Sequence, residues 1–146
     1  CLVEAELKNS HAIGDSVFKK LYRKKSNSGK AIELTLDEEK IKYSSDSWSE
    51  YQLCDSCETL LNINYEAYSL GVLRGKDVEI DKTSIGVKFS KIDQHRFILY
   101  FLSILWRMAN SNHEAYKNVV ITESDNEYLR VAILNNVKIP CDANIP

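Results

Sequence analysis

The sequence predicts a single α+β domain built around a cysteine-based metal knuckle, and three observations carry that expectation. Leu53-Cys54-Asp55-Ser56-Cys57-Glu58 contains a Cys-x-x-Cys spacing, which lets two thiolates reach one tetrahedral zinc ion. Short segments of alternating apolar and polar residues occupy the first half of the chain, and long segments with apolar residues every three or four positions occupy the second. At 146 residues and 44% hydrophobic content the chain can bury a core without disulfide stapling. Cys1 offers a third thiol to the knuckle, and a cysteine three positions before it would complete a second Cys-x-x-Cys. The native protein is therefore expected to begin upstream of Cys1, and the stop soon after Pro140-Cys141 points to an incomplete end as well.

The elements follow in order. Gly14 or Asp15 starts a helix to about Lys25, with Phe18, Leu21 and Tyr22 at helical spacing, and residues 26 to 29 end it. Ile32, Leu34 and Leu36 alternate with Glu33 and Thr35, and Ile41 and Tyr43 continue after an acidic turn, which predicts a hairpin. A polar loop over residues 44 to 49 leads to the cysteine pair. From Cys57 the spacing of Leu60, Leu61, Asn64, Tyr65 and Tyr68 predicts a helix ending at Gly71. Residues 78 to 80 and 85 to 89 read as short strands. Asp93 caps a strongly apolar helix from Phe97 to Met108, whose apolar residues surround much of its circumference and predict burial in the core or against a partner. Ser124 and Glu127 have the spacing of a capping box ahead of a last helix holding Leu129, Val131 and Ile133.

Charge and composition limit the function classes. No apolar run reaches the roughly 20 residues of a membrane span, and cysteines spaced for metal argue for a reducing, cytoplasmic interior. A net charge of -2 is not the footprint of a protein that coats nucleic acid. Lys19, Lys20, Arg23, Lys24, Lys25 and Lys30 nevertheless fall close together, either as a local nucleic-acid-binding surface or as the solvated face of a helix. Cys141 reads as a buried thiol or as a fourth zinc ligand, and His95 and His113 as surface or helix-capping residues.

The order of certain motifs resembles the HNH nucleases of the ββα-metal class, in particular a branch of bacterial proteins with a Ser-His segment, a later Leu-Cys-x-x-Cys-Glu and an apolar segment ending in Trp-Arg. Here these are Ser10-His11-Ala12-Ile13-Gly14 with Tyr22, then Leu53 to Glu58, then Ile104-Leu105-Trp106-Arg107, covering about residues 1 to 110. The resemblance implies a ββα-metal, HNH-like zinc knuckle with an added hairpin and packed helices. It also implies a structural Zn2+ held by Cys1, Cys54 and Cys57, and a strand that ends at His11.

The function implied is metal-dependent hydrolysis of phosphodiester bonds in DNA, as in bacterial defence effectors. Such hydrolysis needs a base that deprotonates water and a cation that neutralises the departing oxygen. His11 takes the family's general-base position. Three departures stand out: Ser10 replaces a frequent Asp ligand, no Asn precedes the cysteine pair where Ser49 or Glu50 would substitute, and Glu58 replaces the final histidine. A carboxylate suits Mg2+ or Mn2+, and steps of four in an α-helix advance by only about 40°, so Glu58, Asn62 and Glu66 are expected on one face as ligands of a catalytic ion. The same line otherwise reads as an exposed polar stripe. Arg107 is expected to bind a carboxylate or phosphate, with Trp106 packing. The alternative function is a zinc-stabilised module that binds nucleic acid, protein or a second copy of itself, its chemistry having lapsed.

Overall fold

The computed structural model describes residues 1–18, 31–33, 42–44 and 48–140, and for 31–33 and 42–44 the backbone alone. Strand β1 (Leu7–His11) pairs antiparallel with β4 (Ser49–Cys54), which runs directly into α2 (Asp55–Leu61). His11 stands opposite Ser49, Ser10 opposite Glu50, and Leu7 opposite Cys54. The register slips between Lys8 and Asn9, which leaves Gln52 as the extra residue of a bulge. Between these strands lie α1 (Asp15–Phe18) and a short antiparallel pair, β2 (Ala31–Glu33) with β3 (Lys42–Ser44). The predicted hairpin is thus present in its strands, while its turn falls outside the described residues. So does the predicted helix beyond Phe18.

The second helical region differs from expectation in an informative way. It begins two residues before Cys57, because Cys54 in extended conformation ends the strand and Asp55 and Glu58 place acidic groups in the first turn. It also changes pitch: a π-helical turn, Asn62–Glu66, separates α2 from α3 (Ala67–Leu73). The wide turn leaves carbonyls exposed to a foreign donor, and Arg96 supplies it, donating from Nε to the Asn64 carbonyl at 2.7 Å and from Nη2 to the Ile63 carbonyl at 3.3 Å. The same guanidinium lies 4.4 Å from the Tyr68 ring centre.

Strands β5 (Glu79–Thr83) and β6 (Gly86–Ser90) form a third antiparallel pair, the first strand longer than predicted, and α4 (Gln94–Ala109) follows. Asp93 caps α4 as expected, its Oδ1 accepting from the Arg96 amide at 3.1 Å. The start of α5 (Glu123–Leu134) corrects the sequence reading: Thr122, not Ser124, is the cap, and its Oγ1 accepts from the Asp125 amide at 3.1 Å. Ser124 lies within the helix and Glu127 pairs with Arg130 instead, at 2.6 Å.

The core lies where α2, the π turn, α4 and α5 meet. Leu61, Tyr65, Leu99, Tyr100 and Ile133 are almost wholly buried there. Each large apolar side chain so buried contributes about 1.5–3 kcal/mol. Tyr65 keeps its hydroxyl satisfied by donating to the Ile133 carbonyl at 2.7 Å. Helix α4 is not buried all round as its composition suggests: Leu99, Tyr100, Leu102, Ser103, Trp106 and Arg107 face inward, and Phe101 stays exposed. No helix among the described residues is long and apolar enough to cross a membrane.

Candidate metal centre and the adjoining charged site

The β1–β4 ribbon and the first turn of α2 bring three thiols together. Cys54 ends β4, Cys57 lies one turn later, and Cys1 approaches from the segment before β1. Their Sγ atoms lie within 4.8 Å of one another, with Cys1 and Cys54 separated by 3.4 Å. Zinc–sulfur bonds of about 2.3 Å in a tetrahedron separate sulfurs by roughly 3.8 Å, so the three donors have the right spacing and softness for Zn2+. Ser56 Oγ lies 3.2 Å from Cys54 Sγ. That contact, with the Cys57 amide and thiol, lowers the Cys54 thiol to about 7, which favours the thiolate that metal binding requires. Among the described residues these thiols are the one group of three His, Cys, Asp or Glu side chains that closes to this distance. Cys141 lies outside the described residues.

Beyond the thiols, His11 ends β1 half-buried, and its carbonyl accepts from Arg107 Nη1 at 2.6 Å. Arg107 is only 1% exposed, among the largest fully buried side chains of the described residues. Its Nε donates to the Ser103 carbonyl at 3.2 Å, and its Nη2 is buried without a hydrogen-bond partner. Burial pulls the Arg107 guanidinium below its ordinary range, opposed by the charges of Glu66 and then Glu58. Glu58 Oε2 is likewise buried without a hydrogen-bond partner.

The expected Glu58–Asn62–Glu66 line is broken in its middle. Four-residue steps keep one face only in an α-helix, and the π turn changes the angle per residue from Asn62 onward. Asn62 is exposed, whereas Glu58 and Glu66 are half-buried. Glu66 reaches the segment after His11: a Cβ on Gly14 would overlap its carboxylate. Glycine there makes room for the close approach. His11, Glu58 and Glu66 do not converge as tightly as the thiols. The expected nucleic-acid-binding residues Lys19, Lys20, Arg23, Lys24 and Lys25 lie outside the described residues.

The residues weighed as stand-ins for the missing Asn have other work. Cross-strand partners share a face, so Glu50 goes with Ser10 and away from the His11–Ser49 pair. Its carboxylate accepts from Ser111 Oγ, from the Asn112 amide at 3.0 Å and from Asn112 Nδ2 at 3.2 Å. Burial raises Glu50, but these bonds outweigh it and hold the carboxyl below its usual range. Ser10 Oγ donates to the Lys8 carbonyl at 3.2 Å.

Sequence reasoning missed two features here. Trp48, at φ 55°, enters β4 in a left-handed conformation and packs edge-on against Phe18 and Tyr116, with ring centres 5.3 and 5.7 Å away. The 111–113 segment closes over the ribbon through Glu50, and His113 caps the 3₁₀ turn Glu114–Tyr116 by accepting the Ala115 amide at 3.1 Å. His95 bonds Asn136 Oδ1 at 3.1 Å. Trp106 packs as expected, its Nε1 donating to Asn126 Oδ1 at 2.7 Å. The chain matches no protein-family model, no curated protein and no solved structure.

Proposed function

We propose that this chain is a zinc-braced, HNH-type endonuclease of the ββα-metal class that hydrolyses phosphodiester bonds in DNA in a reducing cytoplasm. The observation that supports the reading is the order of parts around the knuckle. A strand ending at His11 pairs antiparallel with a strand ending at Cys54, and the helix that follows carries Cys57 and Glu58 in its first turn beside Cys1.

In this reading a structural Zn2+ held by Cys1, Cys54 and Cys57 locks the ribbon to α2. His11 accepts the proton of the attacking water, and its backbone is held by Arg107. A Mg2+ or Mn2+ ion, were it taken by Glu58 with Glu66, would neutralise the oxygen that leaves. Lys19, Lys20, Arg23, Lys24 and Lys25 would contact the DNA backbone.

The test is cleavage of supercoiled plasmid with Mg2+ or Mn2+ by the parent, His11→Ala and Glu58→Gln, with zinc content measured on each. Cutting by the parent that is lost in both variants at equal zinc content is expected. A second reading is a zinc-stabilised binding module whose chemistry has lapsed. It is favoured by Glu50, which is taken up by Ser111 and Asn112 instead of orienting His11. A folded, zinc-loaded parent that fails to cut with either Mg2+ or Mn2+ would select that reading.

A further inference from the structure

The β5–β6 ribbon takes no part in the metal centre or the core, and its turn is not the one a plain hairpin would choose. Residues 79 to 88 are all exposed, with Phe89 and Ser90 half-buried at the base. At about 3.4 Å per residue the strands run on roughly 10 Å past Phe89 to their last pair. β5 and β6 pair with each other and pack extensively against no other described element. Ser84 and Ile85 close the ribbon as a two-residue loop, with Thr83 and Gly86 as the last strand pair. Such loops favour Asn, Asp or Gly, and a β-branched side chain gains nothing from the turn itself. Ile85 nevertheless stands at the apex, 96% exposed. Thr83 Oγ1 donates to the Gly86 carbonyl at 3.1 Å and braces the turn, and a Cβ on Gly86 would meet no atom within 4 Å.

The charge around the apex identifies a partner. From Lys82 to Ile92 the chain carries Lys82, Lys88 and Lys91 and no acidic residue. Lys91 is taken by Glu79 at the base, at 2.5 Å, which leaves Lys82 and Lys88 to flank the apex. Cross-strand partners share a face. Lys82 therefore lies with Val87, Ile80 and Phe89 on a face without acids, whereas Lys88 lies opposite Asp81 on the other.

We infer that the ribbon is a DNA arm: it enters a groove of duplex DNA, Lys82 and Lys88 reach phosphates on its two sides, and Ile85 wedges between base pairs and kinks the duplex. The choice of DNA rests on the function proposed above, and the rest on the ribbon's own residues. A groove presents phosphates along its rims and stacked bases at its floor, which matches an apolar tip between two cations. A two-stranded ribbon is also of a size that a DNA groove admits. One isoleucine offers a bilayer too little apolar area to hold the domain, and lysines on both faces repel a second copy of the same apex.

The test compares the zinc-loaded parent with Ile85→Ser, Ile85→Leu, Lys82→Gln and Lys88→Gln, without Mg2+ or Mn2+ so that no strand is cut. Fluorescence anisotropy over a salt series reads binding to a short duplex, and energy transfer between dyes on its two ends reads the bend. Ile85→Ser is expected to abolish the bend and weaken binding about tenfold, while Ile85→Leu keeps both. Lys82→Gln should weaken binding about tenfold at low salt and reduce the salt slope by about one. Lys88→Gln should do less, because Asp81 already offsets that charge. A parent that leaves the duplex unbent overturns the inference, as does Ile85→Ser that binds and bends like the parent, or a salt slope that ignores Lys82→Gln. Loss of binding to phosphatidylglycerol vesicles in Ile85→Ser, with DNA binding intact, overturns it in favour of a membrane tip. A parent that bends DNA yet cuts none with Mg2+ or Mn2+ overturns the nuclease reading alone. A parent that cuts while Ile85→Ser bends equally overturns the arm alone.

Discussion

The β1–β4–α2 frame has two polar corners built on opposite plans. At one, Cys1, Cys54 and Cys57 bring like donors within 4.8 Å of one another at a partly exposed edge. At the other, the buried Arg107 guanidinium bonds the His11 carbonyl, and the half-buried carboxylates of Glu58 and Glu66 oppose the effect of its burial without closing to a tight group. The thiol corner is a set of soft donors suited to a metal ion, whereas the charged corner carries its own guanidinium. The difference teaches where stability and chemistry should part company: a metal should brace the first, and side-chain placement alone should tune the second.

The largest effect should come from emptying the thiol corner. Structural zinc contributes roughly 10–16 kcal/mol of apparent binding free energy in small zinc domains, and that energy is coupled to folding. Chelation, or Cys57→Ser, is expected to remove zinc and lower the melting temperature by well over ten degrees. A protein that melts unchanged after complete zinc removal would dissolve the contrast between the corners. Because Cys54 sits near 7 before metal binds, zinc uptake should weaken as the pH falls below about 7 and should release protons, measurable by calorimetry in buffers of different ionisation enthalpy.

Arg107→Met should come next, at about 3–4 kcal/mol in chemical denaturation. The loss removes the guanidinium's bonds to the His11 and Ser103 carbonyls from the interior. A loss below about 1 kcal/mol would mean that the charge costs as much to bury as its bonds return.

The two corners were unequally legible in the sequence. Cys-x-x-Cys announces a metal site because both ligands sit in one local turn, and Cys1 joined them as the end of a second such pair. Asp93 as a cap and the packing of Trp106 were likewise local facts. Arg107 was visible only as part of a Trp-Arg pair, since its partners, His11 and Ser103, depend on how α4 crosses β1. The π turn escaped notice because the apolar spacing of Leu61 and Tyr65 also suits an ordinary helix, and only Arg96, thirty residues on, stabilises the wider turn. Thr122 was passed over for Ser124 because both can cap and the choice rests on where the chain turns.

Glu50 tests the ribbon from its other face. Its carboxyl lies below its usual range in the folded protein, so it contributes stability above the unfolded carboxylate's titration and loses it as the pH falls through the lower folded value. Glu50→Gln is expected to cost about 1–2 kcal/mol at pH 7 and less at pH 3, where the parent carboxyl is also becoming protonated. A cost that grows toward low pH would reverse the sign and show that Glu50 does not anchor the 111–113 segment as an anion.

The smallest effect is expected at Gly14, the point where the charged corner touches β1's continuation. The three atoms a methyl group there would meet first all belong to the Glu66 carboxylate, which ends a side chain with three rotatable bonds. Gly14 has no left-handed φ that an alanine would strain. Gly14→Ala should therefore cost under about 1 kcal/mol, with the gain from restricting the unfolded chain offsetting part of the displacement of Glu66. The thiol corner should not register the change, so zinc content and exchange at residues 53 to 57 are expected to match the parent. A cost of several kcal/mol would instead mean that Glu66 is held too firmly to swing aside, making the charged corner as rigid as the metal-braced one.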